Sequence, residues 1–267
     1  LTKQQDGRRN RKKLIMKNKL LILVLFLTSH FALSQVENLP KTEEFFIKKY
    51  QKISSEKDFD EKAKLSSNFY ETFKDFLSKN PKSFSYDFQK LKKEVGFYIS
   101  TSQDGKLRFY SWDTQMGGTM KDFALIIQYK SNGKVITTSK NSDDNAYFVS
   151  KIFETNLNNQ TYYLVILNGI FSTKDASQAV QAFRIDNGKL IDSDKIFKTK
   201  KETLNRIESN FDFFSVVDRP ERPLELITFD QKTNSIYIPL VNDKGEVSSK
   251  RLVYQKKGNF FEYKGLQ

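Results

Sequence analysis

The side chains that most enzymes use for nucleophilic and acid–base chemistry are almost missing from this chain. It has no cysteine, and its one histidine, His30, lies in an apolar stretch near the N-terminus. After position 34, these absences exclude cysteine nucleophiles, serine–histidine–aspartate triads and zinc sites built from histidine or cysteine. Disulfides are excluded as well. Because no cofactor motif is present either, we expect a protein without a cofactor, and a binding module rather than an enzyme.

The segment at 111–120, SWDTQMGGTM, differs in composition from the sequence around it. It contains the only tryptophan, Trp112, beside Asp113 and the pair Gly117 and Gly118. An indole ring stacks on sugars or aromatic groups, an aspartate hydrogen-bonds them, and glycines let backbone amides approach a ligand. These four residues are therefore the predicted ligand-binding residues. The alternative is a buried tryptophan at a strand end, followed by a tight turn.

Carboxylates leave one enzymatic alternative open, a glycan hydrolase. A glycosidase needs two acidic side chains about 5 to 9.5 Å apart. Asp113, Asp143 and Asp218 lie at or near predicted strand ends. This alternative requires a second carboxylate to converge with Asp113 in a pocket near Trp112.

Three acidic turns carry clustered oxygen atoms that Ca²⁺ accepts as ligands, at 143–145, 186–188 and 192–194. None of them continues into the spacing of an EF-hand loop. We therefore interpret them as turns and predict no metal site.

A charged segment with two prolines, Asp218–Pro223, connects two apolar runs. Proline stops strand pairing and stiffens a loop. We predict a rigid surface linker here, with a ligand-facing loop as the alternative.

The formal net charge of +13 invites a nucleic-acid interpretation, but residues 1–34 hold eight of the 45 basic residues and one of the 32 acidic ones. The remaining chain has 37 basic and 31 acidic residues, with the two signs interspersed. Binding to phosphates needs a clustered basic surface. Nucleic acid is therefore not an expected partner.

Residues 16–34 have the parts of a secretory signal peptide in the usual order. Lys17 and Lys19 precede the apolar run at 20–27, and Ala32 and Ser34 fit a cleavage site. Extended through residue 31, the apolar segment has 12 residues, whereas a membrane span needs roughly 18 or more. We expect cleavage, export to the periplasm or the extracellular space, and no membrane span afterwards. An uncleaved anchor is the alternative.

Residues 1–15 are interpreted as an over-extended N-terminus or a long basic leader.

One part of the chain resembles a known group of proteins. Asp104-Gly105-Lys106, the run FYSWDT at 109–114 and the run GGTM at 117–120 resemble a segment of uncharacterised exported proteins of Bacteroidota. The junction at Ser34 and Gln35 is similar to their signal cleavage sites. The resemblance implies a periplasmic or extracellular location and no particular reaction.

Residues 35–95 are predicted to be helical because their apolar residues recur every three or four positions. Pro40 and Thr42 suit the start of the first of three amphipathic helices, Asn80-Pro81 separates the second from the third, and Gly96 marks the end. A further hypothesis leaves the aromatic face of these helices exposed for a partner. The apolar positions are Phe46, Tyr50, Ile53, Leu65, Phe69, Phe73, Phe76, Leu77, Phe84, Phe88, Leu91 and Val95.

Residues 96–267 change to a period of two, which is typical of strands, and about a dozen short strands are expected. Dipeptides such as Asn132-Gly133 and Asn187-Gly188 mark hairpin turns between them. The predicted fold class is α+β, mainly β. Its amphipathic helices pack on an antiparallel β-meander, in the form of a bent sheet, a barrel-like sheet or a small propeller-like arrangement.

From these observations the expected function is that of an exported, non-enzymatic binding or envelope-associated interaction module. Its expected partner is a protein or glycan of the cell envelope. The glycan hydrolase is the alternative.

Overall fold

A computed structural model describes residues 38–139 and 146–267, so the predicted signal peptide lies outside the described residues. Within those ranges the helices come first in the chain. They are α1 (Leu39–Ser55), α2 (Phe59–Lys79) and α3 (Gln89–Val95), with a 3₁₀ turn at Pro81–Ser85 between the last two. In the same ranges no helix is both long enough and apolar enough to cross a membrane.

The third predicted helix is not continuous, and this part of the prediction was wrong. It is divided into the 3₁₀ turn and α3 because Phe88 adopts a left-handed conformation with φ of 51°. Phe84 and Phe88, in the two parts, both bury their rings. The predicted end at Gly96 is confirmed, since this residue caps α3 with φ of 76°.

Fifteen strands lie in the described residues, and they form three separate sheets. The strands are β1 (Tyr98–Thr101), β2 (Leu107–Asp113), β3 (Phe123–Ser131), β4 (Lys134–Ser139), β5 (Tyr147–Leu157), β6 (Gln160–Ile170), β7 (Asp175–Asp186), β8 (Lys189–Ile191), β9 (Phe197–Lys198), β10 (Thr203–Leu204), β11 (Arg206–Asp212), β12 (Thr228–Asp230), β13 (Ser235–Val241), β14 (Val247–Lys257) and β15 (Phe260–Leu266).

Sheet A has the strand order β1-β2-β3-β4, and sheet B has the order β11-β7-β6-β5, with β8 paired to β7. Sheet C has the order β10-β9-β15-β14-β13-β12. Every pair is antiparallel except β15 with β9. The predicted α+β, mainly β class with antiparallel sheets is confirmed. Among the described strands, none of the three sheets closes into a barrel.

The hairpin turns predicted from Asn-Gly pairs are confirmed at two places. Asn132-Gly133 joins β3 to β4 and Asn187-Gly188 joins β7 to β8, and all four residues have positive φ. A further turn, Asn158-Asn159 between β5 and β6, has the same positive φ values without any glycine. Asparagine tolerates the left-handed region better than most residues, so this turn carries no Gly signal in the sequence.

Sheet B lies between sheets A and C and is buried on both faces. Along β6, Tyr163 and Val165 pack in the core with sheet A, whereas Leu164 and Ile166 pack in the core with sheet C. Alternate residues of a strand point to opposite faces. An uninterrupted apolar run is therefore what a strand in the middle layer requires.

An aromatic core joins the helices to the face of sheet A that points away from sheet B. Phe69 and Phe73 of α2 are buried, and both rings contact Trp112 of β2 at centroid distances of 5.5 and 5.6 Å. Edge-to-face contacts of this kind add to the stabilisation from burial. The hypothesis of an exposed aromatic face was therefore wrong at these two residues, since they pack against the sheet.

Candidate functional site

A cavity of about 350 Å³ lies between α2 and the adjoining ends of β2 and β3. We call it the Trp112 cavity. Its helical wall is a set of residues three or four positions apart, which share one face of a helix: Ala63, Ser66, Ser67 and Tyr70. Its other wall comes from sheet A and the loop after β2: Trp112, Thr114, Met116, Asp122, Ala124 and Leu125.

Trp112 lies in the wall of this cavity and is 1% exposed. One face of its ring stacks on Phe97, with centroids 5.0 Å apart and planes 8° from parallel. That face is closed to a ligand. Trp112 therefore closes the wall of the cavity and presents little surface to a ligand.

Tyr70 supplies a second aromatic ring to the cavity, 5.9 Å from Trp112 between centroids. It is half-buried, so part of the ring is open to a ligand, unlike the face of Trp112. The sequence did not single out Tyr70. Its position beside Ser66 and Ser67 is typical of the solvent-exposed face of an amphipathic helix. Tyr70 lines a cavity because the end of β2 packs close to this part of α2.

The polar groups of the cavity are hydroxyls and one carboxylate. Ser66 Oγ donates to the Thr114 carbonyl oxygen at 3.0 Å, and Thr114 Oγ1 donates to Asp122 Oδ2 at 2.6 Å. The Thr114 amide also donates to the Asp122 carbonyl oxygen at 2.8 Å. Asp122 is the one acidic residue among the lining residues. This network orients the carboxylate and joins the helical wall to the loop.

Asp113 is not a lining residue of the Trp112 cavity. Its Oδ2 lies 3.0 Å from Lys121 Nζ, and its Oδ1 accepts the Gln115 amide at 2.8 Å. Its carbonyl oxygen accepts the Tyr50 hydroxyl at 2.7 Å. In the structure, Asp113 shapes the loop after β2, beside the cavity.

Tyr50 stays protonated across the neutral range and so remains a donor to this loop. Burial raises the pKa of its hydroxyl to about 12, and the Asp113 carboxylate adds to the rise, whereas the hydrogen bond from Gln115 opposes it. Desolvation disfavours a phenolate in the same way as any buried anion.

The two glycines of the predicted site have different surroundings. A Cβ atom at Gly117 would overlap the backbone oxygen of Met120 and touch the Asp122 amide nitrogen at 3.0 Å, whereas one at Gly118 would meet nothing within 4 Å. Gly118 is exposed. The close approach of two backbone segments therefore requires glycine at position 117, and position 118 has no such requirement.

The other predicted carboxylates are not brought into this cavity. Asp218 is exposed in the loop after β11 and is not a lining residue. Asp143, with the acidic turn around it, lies outside the described residues. The convergence of two carboxylates that the hydrolase alternative requires is not seen among the residues that line the Trp112 cavity.

Two of the acidic turns each contribute a carboxylate that pairs with the same arginine, Arg184. Asp186 and Asp194 both contact the guanidinium group of Arg184, and these bonds raise the pKa of that group further. Tyr162 also donates to Asp194 at 2.9 Å. A cation of the protein thus occupies the space between these carboxylates. Across residues 38–139 and 146–267, no three residues of the types Asp, Glu, His and Cys are grouped so that they could hold a metal.

No protein-family model, no curated protein and no solved structure matches the chain. The Trp112 cavity offers the half-buried ring of Tyr70, hydroxyls and a single carboxylate. Such a set can hydrogen-bond and pack on a neutral ligand that carries many hydroxyls.

Proposed function

We propose that this protein is an exported, non-enzymatic binding module that takes a neutral saccharide in the Trp112 cavity. The predicted signal peptide at 16–34 supports export. The observation that carries the binding proposal is a cavity whose lining combines the half-buried ring of Tyr70 with hydroxyls and one carboxylate.

The single carboxylate favours binding over hydrolysis. Both retaining and inverting glycosidases use a pair of acidic residues about 5 to 9.5 Å apart. Asp122 has no acidic neighbour in the lining, and Asp113 is held by Lys121. Histidine and cysteine, the common alternatives for proton transfer and nucleophilic attack, are absent after position 34.

The chemistry of the walls favours a sugar over other small ligands. Sugar rings have an apolar face that packs on an aromatic ring and an equatorial rim of hydroxyls that both donate and accept. Tyr70 supplies the ring, Ser67 supplies a hydroxyl, and Asp122 supplies acceptor oxygens. We propose that Tyr70, which sequence reasoning missed, makes the stacking contact predicted for Trp112.

A calorimetric titration of the purified chain with neutral oligosaccharides of glucose, mannose, galactose and N-acetylglucosamine tests this proposal. We expect saturable binding to at least one series. Ser67→Leu places an apolar side chain into the cavity and should abolish binding. Ser78→Leu is the matched control, because it changes an exposed serine on the same helix, outside the cavity.

The same samples distinguish binding from catalysis. On prolonged incubation, a binding module releases no new reducing ends from the oligosaccharide that it binds. Release that is lost in Asp122→Asn would establish the hydrolase instead. Binding that Ser67→Leu and Ser78→Leu leave equally intact would place the ligand elsewhere on the protein.

A further inference from the structure

We propose a second binding site, for a small monocarboxylate with an apolar body, in a cavity of about 320 Å³. The cavity lies at one end of the strands of sheet B, and the hairpin turn at Asn158-Asn159 lies at the other end. We call it the Arg222 cavity. Its walls come from the end of β6, the start of β7, the end of β11 and the segment at 222–224. The proposal is independent of saccharide binding in the Trp112 cavity.

Apolar residues, four of them aromatic, form most of the wall of the Arg222 cavity. Tyr98, Phe148, Phe211 and Phe213 all line it. The first two stack on each other with centroids 3.9 Å apart and an interplanar angle of 20°. A preformed cavity with such walls favours an apolar ligand body, because the rings gain nothing from contact with water.

Two buried polar side chains lie in this wall, Asn168 and Ser177, and Asn168 already has partners. Its Nδ2 donates to Ser150 Oγ at 2.8 Å, and its Oδ1 accepts Gln178 Nε2 at 2.7 Å. Next to it, a Cβ atom at Gly169 would approach Ser177 Oγ to 2.8 Å, so glycine keeps the chains close here. A ligand is not required to satisfy Asn168, whereas Ser177 Oγ adds one buried polar group to a wall that is otherwise mainly apolar.

Arg222 places a cation at the rim of this apolar space. It is exposed, and its guanidinium donates three hydrogen bonds to backbone carbonyl oxygens, two from Nη1 to Arg219 and Glu221 and one from Nη2 to Val217. A guanidinium group has five N–H donors, so two remain. Two donors are what a carboxylate takes in a bidentate pair.

The charges around the rim are complementary to an anion. No aspartate or glutamate is among the residues that line the cavity. Across the described residues, no carboxylate oxygen forms an ion pair with Arg222 within 4.0 Å. The neighbouring carboxylate, Glu221, pairs with Arg219 at 3.2 Å. A ligand carboxylate at the rim would therefore meet Arg222 without displacing a protein side chain.

The segment that carries Arg222 is fixed to sheet B before any ligand binds. Gln178, which is fully buried, donates from Nε2 to the Leu224 carbonyl oxygen at 2.7 Å and accepts the Ile227 amide at 2.6 Å. A wall that is already ordered loses little conformational entropy when a ligand binds. The sequence predicted a rigid linker at Asp218–Pro223 with a ligand-facing loop as the alternative, and a monocarboxylate bound at Arg222 would make this segment both.

Three ligands with one tail and different head groups test the proposal on the full chain: octanoate, n-octanol and octylamine. Calorimetry should give a dissociation constant for octanoate about tenfold or more below those of the other two, because a charge-assisted bidentate pair is the stronger contact. Arg222→Gln should remove this preference. Arg219→Gln, a matched change outside the cavity lining, should keep the preference.

Equal affinity for the three ligands, or no binding of any of them, would overturn the proposal. So would an equal loss of octanoate affinity in Arg219→Gln and Arg222→Gln, because the effect would then reflect general charge. The comparison of head groups uses the unmodified chain and decides the question even if a variant alters the loop. Intermolecular NOEs from octanoate to the rings of Phe148 and Phe213 give the location directly.

Discussion

The hydroxyl of Tyr50 in α1 donates a 2.7 Å hydrogen bond to the carbonyl oxygen of Asp113, 63 positions further along the chain. Gln115 donates to the same hydroxyl at 3.0 Å. Tyr50 thereby connects the first helix to the loop that carries Met116 into the wall of the Trp112 cavity. The helices hold the proposed site in shape through this contact as well as through the aromatic core.

Tyr50→Phe tests that connection. We expect the free energy of unfolding to fall by about 1–2 kcal/mol, because the variant leaves the Asp113 carbonyl oxygen and the side-chain amide of Gln115 without their partner. Denaturant unfolding measures the change. Tyr263→Phe is the control, since no described residue hydrogen-bonds the Tyr263 hydroxyl, and it should cost less. Equal losses in the two variants would contradict the account.

The free energy of unfolding should depend on pH in part through the ionisation of the Tyr50 hydroxyl. Its pKa is raised from 10.0 to about 12 in the folded chain, mainly by burial. A group with a raised folded pKa contributes its full stability below the unfolded pKa and loses it as pH rises through the folded pKa. The difference in unfolding free energy between the unmodified chain and Tyr50→Phe should be constant below pH 10 and shrink from pH 10 toward 12. A difference that does not change over that window would be evidence against a buried neutral hydroxyl.

Gly117→Ala and Gly118→Ala form a matched pair in the predicted site. The first places a methyl group against the Met120 carbonyl oxygen, so the loop has to shift, and we expect a loss of about 1–3 kcal/mol in stability and weaker saccharide binding. The second adds a methyl group in open space and should change neither. Thermal unfolding and calorimetry measure both effects. Similar behaviour of the two variants would show that the close backbone approach is not needed.

Gln178→Met tests the attachment of the segment at 222–227 to sheet B. The substitution leaves the Ile227 amide and the Leu224 carbonyl oxygen without partners, and we expect a loss of about 2–4 kcal/mol in unfolding free energy. Gln181→Met is the control on the same strand. Gln181 makes one long bond, 3.5 Å to the Asp192 carbonyl oxygen, and its Oε1 has no donor among the described residues. It should therefore cost clearly less than Gln178→Met.

The class of the fold followed from the sequence because periodicity is a local property. Apolar residues three or four apart predicted the helices, and alternation with Asn-Gly pairs predicted antiparallel hairpins. The division into three sheets did not follow. It depends on pairs such as β11 with β7 and β15 with β9, which join distant segments, and a hairpin signal says nothing about such pairs.

The candidate site was predictable only in part, for a similar reason. The composition around Trp112 and Gly117 stood out within one segment, and that segment does lie beside a cavity. Tyr70 and Asp122 were missed because they belong to different elements and come together only when α2 packs on sheet A. Asp113 was predicted to bind a ligand because it is a carboxylate next to Trp112. Successive residues of a strand point to opposite faces, and Asp113 does not line the cavity.

The fluorescence of Trp112 gives the most direct measurement of the central claim, because it is the only tryptophan of the chain and lines the proposed site. Titration with the saccharide found by calorimetry should change its emission with the same dissociation constant. The change should be lost in Ser67→Leu and kept in Ser78→Leu. Calorimetric saturation without any change in Trp112 emission, or the absence of binding to every neutral saccharide, would contradict the proposed function.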